Sequence, residues 1–173
     1  MRVSTFRRIV MKDTSDLLEQ FLGFLEVSGT RYCVIGGQAV NAYVEPLVSL
    51  DLDVVVAVKD ANELALQLRK SFKVVRFPHS LNVSLSGSDL RIQVQTDERY
   101  VPFIERARRK NVLGRRMFVA DIADVLQGKI WAALDPEGRG SKRQKDLADI
   151  ARILETYPAY RDSIPPDLLS RLL

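Results

Sequence analysis

The sequence predicts a single α/β (α+β) unit, a small sheet-containing core with C-terminal helices packed on it. Three observations carry this. Residues 31–58 read as strand, glycine turn, short helix and valine-rich strand. Three more strand-type runs follow between Lys73 and Gln95. From Asp121 onward every periodic segment has helical spacing. The expected division is an α/β core over 1–120 and a helical segment over 121–173, forming one compact unit.

Taken in order, residues 13–28 place Leu17, Leu18, Phe21, Leu22 and Leu25 at helical spacing. Asp13 or Thr14 is the expected cap and Gly29 the stop. Tyr32 to Ile35 is a short apolar strand, broken by Gly36-Gly37. Gln38 to Val44 fits about two helical turns before Pro46. Leu52 to Val58 is rich in β-branched valine and reads as a strand. Asp60 and Glu63 form a capping box for a helix through about Ser71, with an imperfect stripe of Leu64, Leu66, Leu68 and Phe72. Lys73–Phe77, Leu81–Leu85 and Leu90–Gln95 are strands separated by turn-forming linkers. In the last of these Arg91, Gln93 and Gln95 share one face. Val101–Arg108 reads as a short helix, and Lys110–Val119 as an edge strand or hairpin around Gly114. Asp121 caps a helix to about Leu134. Ser141 and Gln144 suggest a capping box for a helix to about Thr156, stopped by Pro158. Pro166 opens a last short helix ending at Leu172-Leu173.

Composition narrows the function classes. The 173 residues are 46% hydrophobic, enough for a packed core. No apolar run reaches the roughly 18 residues that span a bilayer. The N-terminal residues lack an apolar signal region, so a cytoplasmic location is expected. The single cysteine, Cys33, excludes an internal disulfide, and its apolar strand predicts a buried thiol. One histidine, His79, excludes a His-rich metal site, so any metal is a hard cation on oxygen ligands. The net charge of +4 permits a polyanionic partner without requiring one.

The chemistry concentrates at Asp51 and Asp53. Alternate residues of a strand share a face roughly 7 Å apart at the backbone, so the two carboxylates can converge on one divalent cation or straddle two. A solvated strand end is the plain alternative for an isolated Asp-x-Asp. Gly36 and Gly37 sharpen the reading, because a glycine turn between strand and helix lets backbone approach a phosphate closely. Thirteen residues separate Gly37 from Asp51.

Val34-Ile35-Gly36-Gly37 followed by Asp51-Leu52-Asp53-Val54 resembles the first motif of the nucleotidyltransferase superfamily related to DNA polymerase β. Lys129, then Arg143-Gln-Lys145-Asp146-Leu-Ala-Asp149, is similar to later motifs of small abortive-infection (AbiE-type) toxin nucleotidyltransferases and their relatives. The resemblance covers roughly residues 14–156. It implies a nucleotidyltransferase-like short mixed sheet flanked by helices, use of an NTP such as ATP with Mg²⁺ (or Mn²⁺), and transfer of a nucleoside monophosphate to a hydroxyl of RNA, protein or a small molecule. A cognate antitoxin-type partner is also implied. Asp51 and Asp53 would hold metal. Gly36, Gly37, Gln38, Ser49, Lys129, Lys145, Asp146 and Asp149 would surround the nucleotide.

The third carboxylate of such sites is missing from the matching strand. Gln93 stands there, able to offer a metal its carbonyl oxygen but unable to act as a base. Asp97 lies two residues past Gln95 and takes the third catalytic position if the strand continues; Asp89 lies at the other end. Leu47 and Ser49 stand where relatives often carry a basic residue and a threonine. Two further readings therefore stay open: a catalytically degenerate nucleotide- or partner-binding protein, and an RNA-binding module. The latter would use Arg106, Arg108, Arg109, Lys110, Arg115 and Arg116 together with Arg139, Lys142 and Arg143. The first run equally suits charged turns that protect an edge strand. Trp131, Tyr157 and Tyr160 read as helix packing.

Overall fold

A computed structural model describes the backbone of residues 3–172 and side chains from residue 16 onward. Leu173 lies outside the described residues. The first helix, α1, spans Val3–Ser28, so Asp13 and Thr14 lie inside it and not at its start. It buries Leu17, Leu18, Phe21 and Leu25, with Leu22 partly covered. β1 (Tyr32–Ile35) leads directly into α2 (Gly36–Asn41). The expected Gly-Gly turn is thus the first residues of the helix itself, with only Gly36 in a left-handed conformation, at φ +68°. β2 is Asp51–Val56; Ala57 and Val58 leave the ladder.

α3 (Ala61–Leu68) is capped by Asp60, whose carboxylate accepts from the backbone N–H of Asn62 and Glu63. Glu63 does not complete the reciprocal box; its carboxylate accepts from Gln67. Leu64, Ala65 and Leu68 face inward and Leu66 outward, which explains the imperfect stripe. β3 (Lys73–Phe77) and β4 (Ser80–Ser84) form a hairpin turned by Pro78 and His79. β5 is Arg91–Gln95. The helix expected over Val101–Arg108 is a 3₁₀ helix at Glu98–Arg106, started earlier by the Asp97 cap. β6 (Arg108–Val112) and β7 (Arg115–Val119) make a hairpin through Leu113 and Gly114, both at positive φ.

α4 (Ile122–Leu134) begins at the Asp121 cap. α5 (Gly140–Thr156) starts with Arg139 in the capping position and no side-chain cap, so the expected Ser141–Gln144 box does not form. A 3₁₀ turn at Pro158–Ser163 follows, then α6 (Pro166–Leu169), which ends before Leu172.

The seven strands form one mixed sheet in the order β3-β4-β5-β2-β1-β7-β6. β2 pairs antiparallel with β1 and parallel with β5; β1 pairs parallel with β7. Leu52 and Val54 of β2 are fully buried, while Asp51 and Asp53 point to the opposite, partly open face. That face is approached by α2, which touches β1, β2, α4 and α5. Tyr100, Phe103 and Trp131 pack together where the 3₁₀ helix meets α4, Phe103 and Trp131 stacked at 5.7 Å. Trp131 is therefore a packing residue, as its helical spacing suggests.

Candidate functional site

A cleft of about 520 Å³ opens between the polar face of the sheet and the N-terminal half of α5. Its sheet wall carries Asp51 and Asp53 from β2, with Arg91, Gln93 and Gln95 from β5 and Asn82 from β4. The register explains the grouping. In the parallel β2–β5 ladder Asp51 stands opposite Arg91 and Asp53 opposite Gln93; in the antiparallel β4–β5 ladder Gln93 stands opposite Asn82. The helical wall carries Lys129 from α4 and Lys142, Lys145 and Asp146 from α5.

Asp53 makes no ion pair or side-chain hydrogen bond among the described residues. Burial is the largest influence on its carboxyl and pushes it above the ordinary carboxylate value. Lys129 opposes this, Asp51 adds to it, and Lys142 and Lys145 oppose it more weakly. Gly36 lies against this carboxylate. A Cβ built at Gly36 would collide with Asp53 Oδ2 and stand 3.0 Å from its Cγ. At Gly37 a Cβ would meet only Asp149 Oδ2, at 4.0 Å. The two glycines therefore differ in kind: Gly36 is required by both its backbone conformation and its contact with Asp53, and Gly37 by neither. Gly36→Ala is expected to cost at least about 1–2 kcal/mol from left-handed strain alone and to displace Asp53. Gly37→Ala should be close to neutral. Paired thermal melts of the two variants check this; equal effects would contradict it.

Lys129 is buried between two acids of the next helix. Its Nζ lies 2.9 Å from Asp146 Oδ1 and 2.8 Å from Asp149 Oδ2. Burial acts to depress the ammonium, but the Asp146 and Asp149 charges together outweigh it and hold the lysine above its ordinary value. Among the described residues Lys145 and Asp149 make no ion pair. Asp149 instead receives Arg152 Nη1 at 2.9 Å, while Lys145 stays exposed on the cleft. Arg152 continues the network: its Nη2 donates to Asn41 Oδ1 and to the carbonyl of Glu45. Asn41 in turn exchanges hydrogen bonds with the backbone of Leu47. The segment leading into Asp51 is thus tied to the buried lysine cluster. Asp146 Oδ2 is buried with no hydrogen-bond partner among the described residues.

The remaining expected residues divide. Gly36, Gly37, Ser49, Lys129, Lys145 and Asp146 line the cleft together with Asp51, Asp53 and Gln93. Gln38 is buried behind it, donating to the carbonyl of Ser49 at 2.9 Å, so its amide shapes the loop. The Ser49 hydroxyl is engaged with the backbone of Asp51. Asp149 sits behind Lys129. Asp97 does not join the pair. β5 ends at Gln95, and Asp97 caps the 3₁₀ helix and binds Arg99 at 2.9 Å, contacts that hold its carboxyl below the ordinary value against the opposing effect of burial. Asp89 is exposed and outside the cleft.

Sequence reasoning did not assign Arg91 or Asn82 to the site. Arg91 had a signal, its position on the same strand face as Gln93. Asn82 had none, because its register against Gln93 depends on the connection between β4 and β5. The basic run splits by location. Arg106 binds Asp124 through two hydrogen bonds, Arg108 lies 3.7 Å from Asp121, and Arg115 pairs with Glu19. Arg109 and Lys110 cover the rings of Phe118 and Tyr43. None of these lines the cleft. Arg143 clamps the carbonyls of Asp135 and Gly138. Arg139, Lys142 and Lys145 border the cleft and take no ion-pair partner among the described residues.

The donor set fits a hard divalent cation. Asp53 is an unpartnered carboxylate disfavoured by its own burial, Asp51 is directed to the same face, and the Gln93 amide stands beside them. Among the described residues no group of three or more Asp, Glu, His or Cys side chains is arranged to hold a metal. Cys33 is buried in β1, its thiol pushed up to about 12 mainly by burial, and takes no part.

No model of a known protein family matches the chain, and no characterised protein matches it in sequence. Experimentally determined structures match it in fold. ANT(2'')-Ia in complex with adenylyl-2''-tobramycin superposes with a TM-score of 0.58 at 14% identity, covering 91% of this chain and 95% of that one. An antigenic nucleotidyltransferase-like protein from Paracoccidioides brasiliensis gives 0.55 at 19% identity, covering 93% and 92%. The lincosamide antibiotic adenylyltransferase LnuA, with lincomycin bound, gives 0.52 at 11% identity, covering 80% and 96%. The chain has a nucleotidyltransferase-like fold.

Proposed function

We propose that the chain is a nucleotidyltransferase that moves a nucleoside monophosphate from an NTP to a hydroxyl acceptor. The observation that carries this is the placement of Asp51 and Asp53 across a cleft from Lys142, Lys145 and the Lys129–Asp146 pair, within a nucleotidyltransferase-like fold. Asp51 and Asp53, with the Gln93 amide, would hold Mg²⁺ or Mn²⁺. Bound there, the ion supplies charge neutralisation on the triphosphate and acidifies an attacking hydroxyl. Gly36 leaves room for the Asp53 carboxylate at the cleft floor. Arg139, Lys142 and Lys145 bring unpaired positive charge to the triphosphate, and Lys129 holds Asp146 and Asp149 in place behind it.

The acceptor side, read as Asn82, Arg91, Gln93 and Gln95, offers no carboxylate among the described residues beyond the metal-binding pair, and Asp124 and Asp146 of the cleft are engaged by Arg106 and Lys129. A polycation such as tobramycin needs acids to bind it, so this surface suits RNA or a neutral hydroxyl better. The resemblance of Lys129 and the Lys145-Asp146-Asp149 run to the abortive-infection nucleotidyltransferases is what supports reading the role as toxin-like, with a cognate partner protein.

A second reading is favoured by one observation: Gln93, opposite Asp53, cannot take a proton. On that reading the site binds nucleotide without turnover. Incubation with each α-³²P-labelled NTP, Mn²⁺, and total RNA, protein extract or small hydroxyl compounds is expected to label an acceptor. Metal-dependent NTP binding without label in any fraction would support the second reading; no binding would exclude both.

A further inference from the structure

We infer that this site takes one divalent cation with its nucleotide, and that Arg91 supplies a fixed positive charge where a second cation would otherwise be held. The inference rests on the nucleotide-binding reading above.

Two cations about 3.5–4 Å apart clamp the attacking and leaving oxygens in two-metal sites. Holding the second one needs a carboxylate that can share its two oxygens between the ions, and a further acid beside it. Asp53 alone keeps both oxygens free; the Asp51 carboxylate and the place of the further acid are taken by two residues of the same strand. Arg91 Nε lies 2.9 Å from Asp51 Oδ1, so one of the two Asp51 oxygens already faces a cation. Gln93 occupies the place opposite Asp53, where the further acid would have to stand. The sheet wall then carries two negative charges and one positive. That balance suits one divalent ion accompanied by a triphosphate and leaves little to hold a second.

The Arg91–Asp51 pair is poorly explained as a fold-stabilising contact. The two side chains are 72% and 44% exposed, and pairs of that kind contribute about 0–1 kcal/mol. Its chemistry is better matched to a ligand. The contact engages Nε, and the Nη groups take no partner among the described residues. A guanidinium in this position can keep its hold on Asp51 and donate to a phosphate oxygen in the cleft.

The test counts metal ions, which a merely structural role for Arg91 would not alter. Native mass spectrometry with Mn²⁺ and the four α,β-methylene NTPs reads ions per nucleotide-bound chain. The parent protein and Gln93→Asp are expected to carry one Mn²⁺ each, because Arg91 still occupies Asp51. The double variant Arg91→Met, Gln93→Asp is expected to carry two. Two ions in the parent, two in Gln93→Asp alone, or only one in the double variant would overturn the inference. A parent chain that binds no nucleotide would remove the reading beneath it as well, and is told apart because the nucleotide itself is weighed. Both substituted positions face the cleft and not the core, and the parent count decides the first claim even without the variants.

Discussion

An Asp53→Asn variant is expected to lose nucleotidyl transfer while gaining stability. Metal-held charge neutralisation is worth several kcal/mol, so the loss should be at least about 100-fold. The stability gain follows from the protonation behaviour of the same group. The Asp53 carboxyl is raised in the folded state, chiefly by burial, so the folded chain binds that proton more tightly than the unfolded chain does. Its contribution to stability therefore falls as pH rises from the unfolded value near 3.8 through the folded one. At neutral pH the ionised side chain is a cost, and asparagine removes it. A gain on the order of 1 kcal/mol corresponds to about 2–4 °C in Tm for a chain of this size. The advantage should vanish at acid pH, where Asp53 is itself protonated. It should reverse when Mn²⁺ and an NTP are added, because only the parent site binds them well. Melts at two pH values with and without ligand test each part. Transfer at the parent rate by the variant would exclude Asp53 from the site.

Lys129→Met should be strongly destabilising. It removes the cation from between two carboxylates that are 3% and 4% exposed as residues. Breaking a buried ion cluster from one side typically costs about 3–5 kcal/mol, or at least about 6 °C in Tm here. Asp149 keeps Arg152 as a partner, whereas Asp146 is left with none among the described residues. Adding Asp146→Leu to Lys129→Met should therefore recover part of the loss, and failure to do so would show that the cluster is not coupled as drawn. The pH dependence has the same sign as that of Asp53 but falls in a far more alkaline window. Lys129 is raised in the folded state, so its stabilisation is fully present below the ordinary lysine value near 10.5 and is lost as pH rises through the folded one. The difference between parent and variant in urea melts should be flat from about pH 7 to 9 and shrink above pH 10.5.

These two residues also show how differently the site was encoded. The Asp53 side of it was legible in the sequence, since alternation along one strand puts Asp51 and Asp53 on one face whatever the rest of the chain does. The apolar Tyr32–Ile35 run, the valines of β2 and the Asp60 and Asp121 caps are local in the same sense, because each depends on residues within a turn or two. Local rules erred where two local options compete. Ser141 and Gln144 have the spacing of a capping box, yet the helix begins at Gly140 and passes them by. Asp97 could have extended the polar face of β5, but the strand stops at Gln95 and Asp97 caps the 3₁₀ helix instead.

What the sequence determined by itself was the set of elements and the two carboxylates on one strand face, because helical and strand periodicity and capping are properties of neighbouring residues. Tertiary structure alone decided what those carboxylates meet. The parallel register of β2 and β5 brings Arg91 to Asp51 and Gln93 to Asp53 across 39 residues of intervening chain, and no local rule sets that register. The packing of α4 on α5 turned Lys129, Asp146 and Asp149 from charges on two helices into one buried cluster. The same long-range contacts kept the Arg106–Arg116 run, the most conspicuous charge in the sequence, away from the cleft. Charge can be counted from a sequence, but its partners depend on which surfaces the fold brings together.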